Sequence, residues 1–326
     1  MKGTVSIIIP TYNRCELLTK TIDSFLKINY PADLLEVIIA DNNSTDSTRN
    51  MVSEIKEKSK FPIIYHLEEQ QGVHYARNSA AKIAKGEFLY YTDDDMIADE
   101  DLLCELLKVI SMDAQIGTAT GRVLPKWETT PPEWVKKYMC NAKLSLNNPE
   151  EELIISKSDC KVFSCHQIIR REAFFKAGGY NPENTKGLWI GDGETGLNIK
   201  LQKLGYKFAY AGKSIIWHFI PRMRMTQKYL ILRLINQANS DSFTYYRRES
   251  PTPQMLIRQI FFRVLKLPHR VYLLIESFIL LKDNWRLKLA AICYHLIRIR
   301  NEFSFLISKE KRTIATKDNW LDIPSS

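Results

Sequence analysis

Three consecutive aspartates, Asp93, Asp94 and Asp95, follow the strand-type run FLYY in FLYYTDDDMIADEDLL. Adjacent like charges repel, so such a run is either a solvated turn or a site prepared for a divalent cation. Carboxylates at a strand end can hold Mg²⁺ or Mn²⁺, and the metal then neutralises a diphosphate that the carboxylates alone would repel. Neither GxxxxGK(S/T) nor GxGxxG follows the first strand-like run, so a glycine-rich phosphate cradle is absent and phosphate charge must be met in another way. Tyr12 offers a ring face for a base, and Asp41 offers an acceptor for a base N–H.

The elements around these residues alternate. VSIII (5–9) reads as a buried strand ending at Pro10, and Glu16 to Asn29 carries Leu17, Leu18, Ile22, Phe25 and Leu26 on one helical face. EVIIA (36–40) is the next strand, followed by a polar loop and a helix up to about Lys58. FPIIYHL (61–67), a short helix around Ala76 to Ala84 closed by Gly86, and the strand EFLYY (87–91) continue the pattern, with Met96 to Leu103 starting another helix. Alternation with short connections predicts an α/β fold with a largely parallel, doubly wound sheet. Ligands of such sheets sit outside the carboxyl ends of the strands. Thr11, Tyr12 and Asn13, then Asp41, Asn42 and Asn43, then Asp93 to Asp95 all fall there, so the three polar sets should converge on one crevice.

The 326 residues, 45% hydrophobic and 25% charged, suffice for a large core. Six scattered cysteines without a CxxC pair suit a reducing cytosol; Cys160, Cys165 and His166 lack a fourth zinc ligand at usable spacing. Val5 to Ile9 is too short an apolar run to read as a signal sequence. The net charge of +9 is unevenly placed: residues 222–326 hold 19 Lys+Arg against 8 Asp+Glu, or +11, leaving −2 for residues 1–221. From about Met223 the segments QKYLILRLINQ, PQMLIRQIFFRVLKLPHRVYLLIESFILL and NWRLKLAAICYHLIRIR read as basic amphipathic helices. Their uncharged runs stop well below the roughly 18 residues of a spanning helix. Their pattern suits peripheral contact with an anionic membrane, or else a helical subdomain packed on the rest or a dimerisation face.

VSIIIPTYNRCELLTKTIDSFL, EVIIADNNSTDST, GVHYARNSAAKIAKGEFLYYTDDDM, GGY and GDGETGLNIKLQKLGYKFAYAGKSIIWH together resemble family 2 glycosyltransferases, over roughly residues 3–220. The resemblance implies a GT-A (Rossmann-like) catalytic domain at 1–222, with 223–326 as a mostly helical extension. It implies a metal-dependent, inverting enzyme moving a sugar from a nucleotide-sugar donor, a UDP-sugar first, to a glycan or lipid-linked acceptor, with Mn²⁺ or Mg²⁺ as cofactor. In that likeness Pro10, Thr11, Tyr12 and Asn13 line the nucleotide pocket, Asp41 contacts a uracil-type base, and Arg77 lies over the same pocket. Asp93 and Asp95 are the ends of a DXD motif, Asp93 on the ribose side and Asp95 coordinating metal, with Asp94 between them. His218 matches the family histidine that often completes the metal site.

The acidic pair that family members carry before the helix ending in GY falls, counted back from Gly205 and Tyr206, on Gly193 and Glu194, with Asp192 displaced by one position. Glu194 is the expected base by register and Asp192 the alternative. On the acceptor side, Trp127 and Trp134 flank a double proline, where they either stack on sugar rings or anchor a loop. Two other readings share some of these features: a noncatalytic sugar-nucleotide binder and a metal-dependent nucleotidyltransferase. The latter normally opens with a glycine-rich basic loop where PTYNR stands here. A nucleic-acid-binding protein would leave the acidic crevice without a purpose. The expected location is the cytoplasm, peripherally at the inner face of the cell membrane.

Overall fold

Residues 3–185 and 187–321 are described in the computed structural model. VSIIIPT forms β1 (Val5–Thr11), buried along its whole length, which is why its apolar residues run on without alternation. Helix α1 (Cys15–Phe25) buries Leu18, Ile22 and Phe25 at a spacing of one helical face. Strand β2 (Leu35–Asp41), helix α2 (Thr48–Lys58), strand β3 (Ile63–Leu67), helix α3 (Val73–Ile83) and strand β4 (Phe88–Thr92) follow. Ala76, Ala80 and Ala81 of α3 are buried, and such small side chains let its axis lie close to the sheet. Next come β5 (Met96–Ala98), α4 (Leu102–Ile110), β6 (Ile116–Trp127) and α5 (Glu133–Met139). Strand β7 (Leu153–Ser156), β8 (His166–Arg170), α6 (Arg171–Lys176), the pair β9 (Asn184–Thr185) and β10 (Leu188–Trp189), α7 (Gly193–Lys203) and β11 (Lys207–Ile220) complete the α/β part.

The main sheet runs β3-β2-β1-β4-β8-β6-β11-β5, with β7 also on β11. Strands β3, β2, β1 and β4 are mutually parallel, but β8 lies antiparallel between β4 and β6, and β5 and β7 are antiparallel to β11. The sheet is therefore mixed rather than largely parallel, because the helix-by-helix alternation on which that expectation rested stops after β4. One apolar core fills each face.

Met96 to Ala98 form a strand and not the start of a helix; α4 begins only at Leu102. This three-residue strand has a large consequence. It pairs His218 with Met96 and Trp217 with Ile97, and Phe219 N–H donates to the Asp95 carbonyl at 2.9 Å. The aspartate run and the end of β11 are thereby fixed side by side.

Beyond Pro221 a short 3₁₀ turn (Arg222–Met225) leads into α8 (Gln227–Glu249), α9 (Pro253–Leu265), α10 (Leu267–Ile279), α11 (Trp285–Ile307) and α12 (Lys309–Thr316). Among the described residues no helix is long and apolar enough to cross a membrane. Leu230 of α8 belongs to the core under the sheet, and a small separate core gathers Phe243, Tyr246, Leu256, Phe305 and Ala315. The chain end returns to the α/β part: Trp320 N–H donates to the Gly178 carbonyl at 2.9 Å.

Candidate active site

The carboxyl ends of β1 and β4, the end of β11, the start of α7 and the flank of α8 enclose a cavity of about 750 Å³. Pro10, Thr11, Tyr12, Arg77, Asp93, Asp94, Asp95, Glu194 and His218, all singled out from sequence, line it. So do Arg14, His74, Glu183, Trp189, Arg224 and Arg233, which sequence reasoning missed.

The three aspartates have three different surroundings. Arg77, buried in α3, hydrogen-bonds Asp93. Asp94 is buried, accepts from Thr11 Oγ1 at 2.8 Å and is bound by Arg14, so it ties the end of β4 to the end of β1. Burial pushes its carboxyl upward against the pull of Arg14. Asp95 is also buried, and burial alone would raise it; the guanidinium groups of Arg224 and Arg14 hold it well below the usual range. Arg224 donates to Asp95 Oδ2 at 2.8 Å, and His218 Nε2 lies 3.6 Å from Asp95 Oδ1.

His218 Nδ1 is 2.8 Å from the Leu144 carbonyl, which can only accept, and Nε2 is 2.5 Å from Arg224, which can only donate. Nδ1 therefore carries the proton and Nε2 the lone pair, the arrangement of a ligand histidine whose far nitrogen is held by a carbonyl. An aspartate oxygen and an imidazole nitrogen aimed at one another's flank fit a divalent cation. Asp93 does not join them, since its carboxylate turns to Arg77; among the described residues no group of three His, Cys, Asp or Glu has metal-holding geometry. A two-residue site suits Mg²⁺ or Mn²⁺, which are commonly held by one or two carboxylates with substrate phosphates filling the rest.

The displaced acidic pair has a physical explanation. Gly193 has φ +55°, and a Cβ there would fall 1.7 Å from Glu183 Oε1. Glycine adopts that backbone without cost, and Glu183, from the loop ahead of β9, places its carboxylate beside the position to which register assigns an acid. Glu183 sits 3.8 Å from His74; burial would raise its carboxyl, but the nearby His74 lowers it. Glu194 accepts from the Ser164 amide at 2.6 Å and from its hydroxyl. Burial raises the Glu194 carboxyl above the ordinary glutamate range, against those two bonds. Asp192 is not at the cavity: it is fully buried, bound to Asn181 and to Arg247 of α8 at 3.1 Å, and braces α7 against the helical region.

Other expected residues lie elsewhere. Asp41 is buried behind the wall, accepting from Tyr65 Oη at 2.6 Å and from the Ser44 amide at 2.9 Å, while its neighbour Asn42 faces the cavity. Asn13 does not line the cavity either; in a left-handed conformation (φ 53°) it holds the Thr45 amide at 2.7 Å. Trp127 and Trp134 are loop and helix anchors, packed on the core, with Arg286 over the Trp134 ring at 5.4 Å. The tryptophan on the cavity wall is Trp189, whose indole Nε1 has no partner among the described residues.

The family model for glycosyl transferase family 2 matches residues 6–177, just over half of the chain. The chain belongs to this family. Over 106 residues it is 38% identical to the uncharacterized glycosyltransferase YfnE of Bacillus subtilis, a match covering 32% of this chain and 26% of that one. Over 101 residues it is 37% identical to the poly(ribitol-phosphate) beta-glucosyltransferase of Bacillus spizizenii, covering 30% and 16% respectively. The chain thus aligns with less than two thirds of the length of either relative. Among solved structures, the mannosyltransferase PcManGT of Pyrobaculum calidifontis superposes with a TM-score of 0.58 at 20% identity, covering 97% of this chain and 84% of that one. The mixed sheet and its helical extension are therefore those of a family 2 glycosyltransferase with the GT-A fold.

Proposed function

We propose that this family 2 glycosyltransferase moves a sugar, with inversion, from a nucleoside-diphosphate sugar to a hydroxyl of a glycan or lipid-linked acceptor in the building of a cell-surface polymer. A UDP-sugar is the favoured donor. The observation that carries the reading is the meeting, in one cavity, of Asp95 and His218 Nε2 with the half-buried carboxylate of Glu194. The name of the poly(ribitol-phosphate) relative supports a surface polymer as the product. The mannosyltransferase was solved with GDP-Man and Mn²⁺, which supports a nucleoside diphosphate sugar and a divalent ion on this fold.

Asp95 and His218 would hold Mn²⁺ or Mg²⁺, which when bound neutralises the diphosphate so that it leaves without protonation. Tyr12, half exposed at the end of β1, stacks on the base, and Asn42 faces its edge. Arg77 fixes Asp93 for the ribose, and Trp189 offers its ring to a sugar. Glu194, aimed by Ser164, takes the proton of the acceptor hydroxyl as that oxygen bonds to the anomeric carbon and the bond to the diphosphate breaks. Such a base contributes about 10²- to 10⁴-fold in rate. The basic helices after Met225 hold the enzyme peripherally against the inner face of the membrane.

A panel of nucleotide sugars with Mn²⁺, scored for slow nucleoside diphosphate release without acceptor, tests the reading. Release from one donor above the rest is expected. Binding of donors with no release from any of them overturns the catalytic assignment.

A further inference from the structure

A second cleft, of about 440 Å³, lies between α9, the start of α10 and the flanks of α8 and α11. Five basic side chains line it: Arg258, Arg263, Lys266, Arg270 and His295. None of its lining residues is acidic. Arg263 donates from Nε to both carboxylate oxygens of the buried Glu302 at 2.9 Å, a carboxylate it shares with Arg298. Arg258, Lys266 and Arg270 have no carboxylate partner among the described residues, so at least three charges face the cleft uncompensated. His295 registers the field: burial, then Arg270, Arg263, Arg298 and Lys266, depress it to about 4.

The helices that carry these cations also expose apolar side chains. On α9, Ile257, Phe261, Val264 and Leu265 recur at helical spacing on the solvent side, next to the face carrying Arg258, Phe262 and Lys266. On α10, Tyr272, Ile275, Phe278 and Ile279 form a second exposed stripe, and Leu281 just beyond is 91% exposed. Exposed aliphatic and aromatic side chains beside unpaired cations fit an interface with an anionic headgroup layer above and acyl chains below. A second copy of the chain fits worse, because a two-fold contact on this face sets the same positive groups against one another.

We propose that this cleft is a binding site for the phosphate of an anionic membrane phospholipid, with the exposed stripes of α9 and α10 entering the acyl boundary. The cation cluster and apolar stripes lie on helices separate from the cavity, so the proposal deepens the peripheral-membrane part of the function without depending on sugar transfer.

The test is co-sedimentation of the full chain with vesicles of phosphatidylcholine alone and of phosphatidylcholine with phosphatidylglycerol. Binding to the anionic vesicles only is expected. The pair Lys266→Gln and Arg270→Gln should weaken it roughly twenty-five-fold, about fivefold per cation near the surface. Removing equal charge at the exposed Lys309 and Lys311 of α12 should change it no more than twofold. The pair Phe278→Ser and Ile279→Ser should also release the protein, while all variants keep donor hydrolysis at the wild-type rate. Equal loss from both charge pairs would reduce the site to general electrostatics and overturn it. Absence of vesicle binding would also overturn it, whether inorganic phosphate still binds the cleft in calorimetry or the apolar stripes prove to join two copies in sedimentation velocity.

Discussion

Arg224 donates to Asp95 Oδ2 at 2.8 Å and to His218 Nε2 at 2.5 Å, so a single guanidinium contacts both side chains proposed as metal ligands. A divalent cation on those two atoms would displace that guanidinium. Arg224 lies in the turn between β11 and α8, so its release would link metal binding to the helix that flanks the cavity.

Removing the competitor should help the metal. Arg224→Ala is expected to tighten Mn²⁺ binding in the absence of nucleotide by about two- to fivefold, the worth of one partly solvated ion pair. Calorimetric titration checks it, and an unchanged or weaker affinity contradicts the competition.

The two candidate bases separate by what they lose. Glu194→Gln should lower kcat by about 10²- to 10⁴-fold with the fold intact. Asp192→Asn should instead cost about 3 kcal/mol of stability, because it leaves Arg247 buried with only the exposed Asp318 as an ionic partner. Turnover and denaturant unfolding on both variants decide; a larger turnover loss in a folded Asp192→Asn protein would reassign the base.

The rate should depend on pH through Glu194. Burial raises its folded-state pKa, so the fold favours the neutral form: its contribution to stability is present below the unfolded pKa and is lost as pH rises through the raised value. Catalysis needs the opposite form. The kcat profile should therefore fall about tenfold per pH unit below an apparent pKa above the ordinary glutamate value of about 4.3. In Glu194→Gln this acidic limb should vanish from the residual rate; an identical limb would assign it to another group.

Tryptophans on and off the cavity should behave differently. Trp189→Ala should raise the KM for donor or acceptor by about tenfold, as expected for one lost stacking ring. Trp134→Ala should leave both KM values unchanged and cost about 2 kcal/mol in unfolding, less than a fully buried tryptophan because its ring is only partly covered. A KM effect at Trp134 would return it to the acceptor site.

Local pattern made the first half of the fold legible, because β1 to β4 alternate with helices whose apolar residues recur on one face. It failed at Met96 to Ala98, where three residues carry too little period to show a strand and only the long-range pairing with β11 makes them one. The aspartate run and Glu194 were readable because they lie at element ends with recognisable flanks. Glu183, Arg224 and Trp189 were not, since they reach the cavity from a loop, a turn and a two-residue strand whose paths depend on tertiary packing. Gly193 shows the limit most clearly: register pointed to this position, but the left-handed backbone and the Glu183 carboxylate beside it are visible only in the structure.

The central claim is metal-dependent sugar transfer through Asp95. Its most direct test is nucleoside diphosphate release from the preferred donor with Mn²⁺, before and after chelation, in the wild type and in Asp95→Ala. The account predicts release that stops on chelation, returns with added Mn²⁺, and is absent from a folded Asp95→Ala protein. Release that persists in the chelator, or in Asp95→Ala at the wild-type rate, would contradict it.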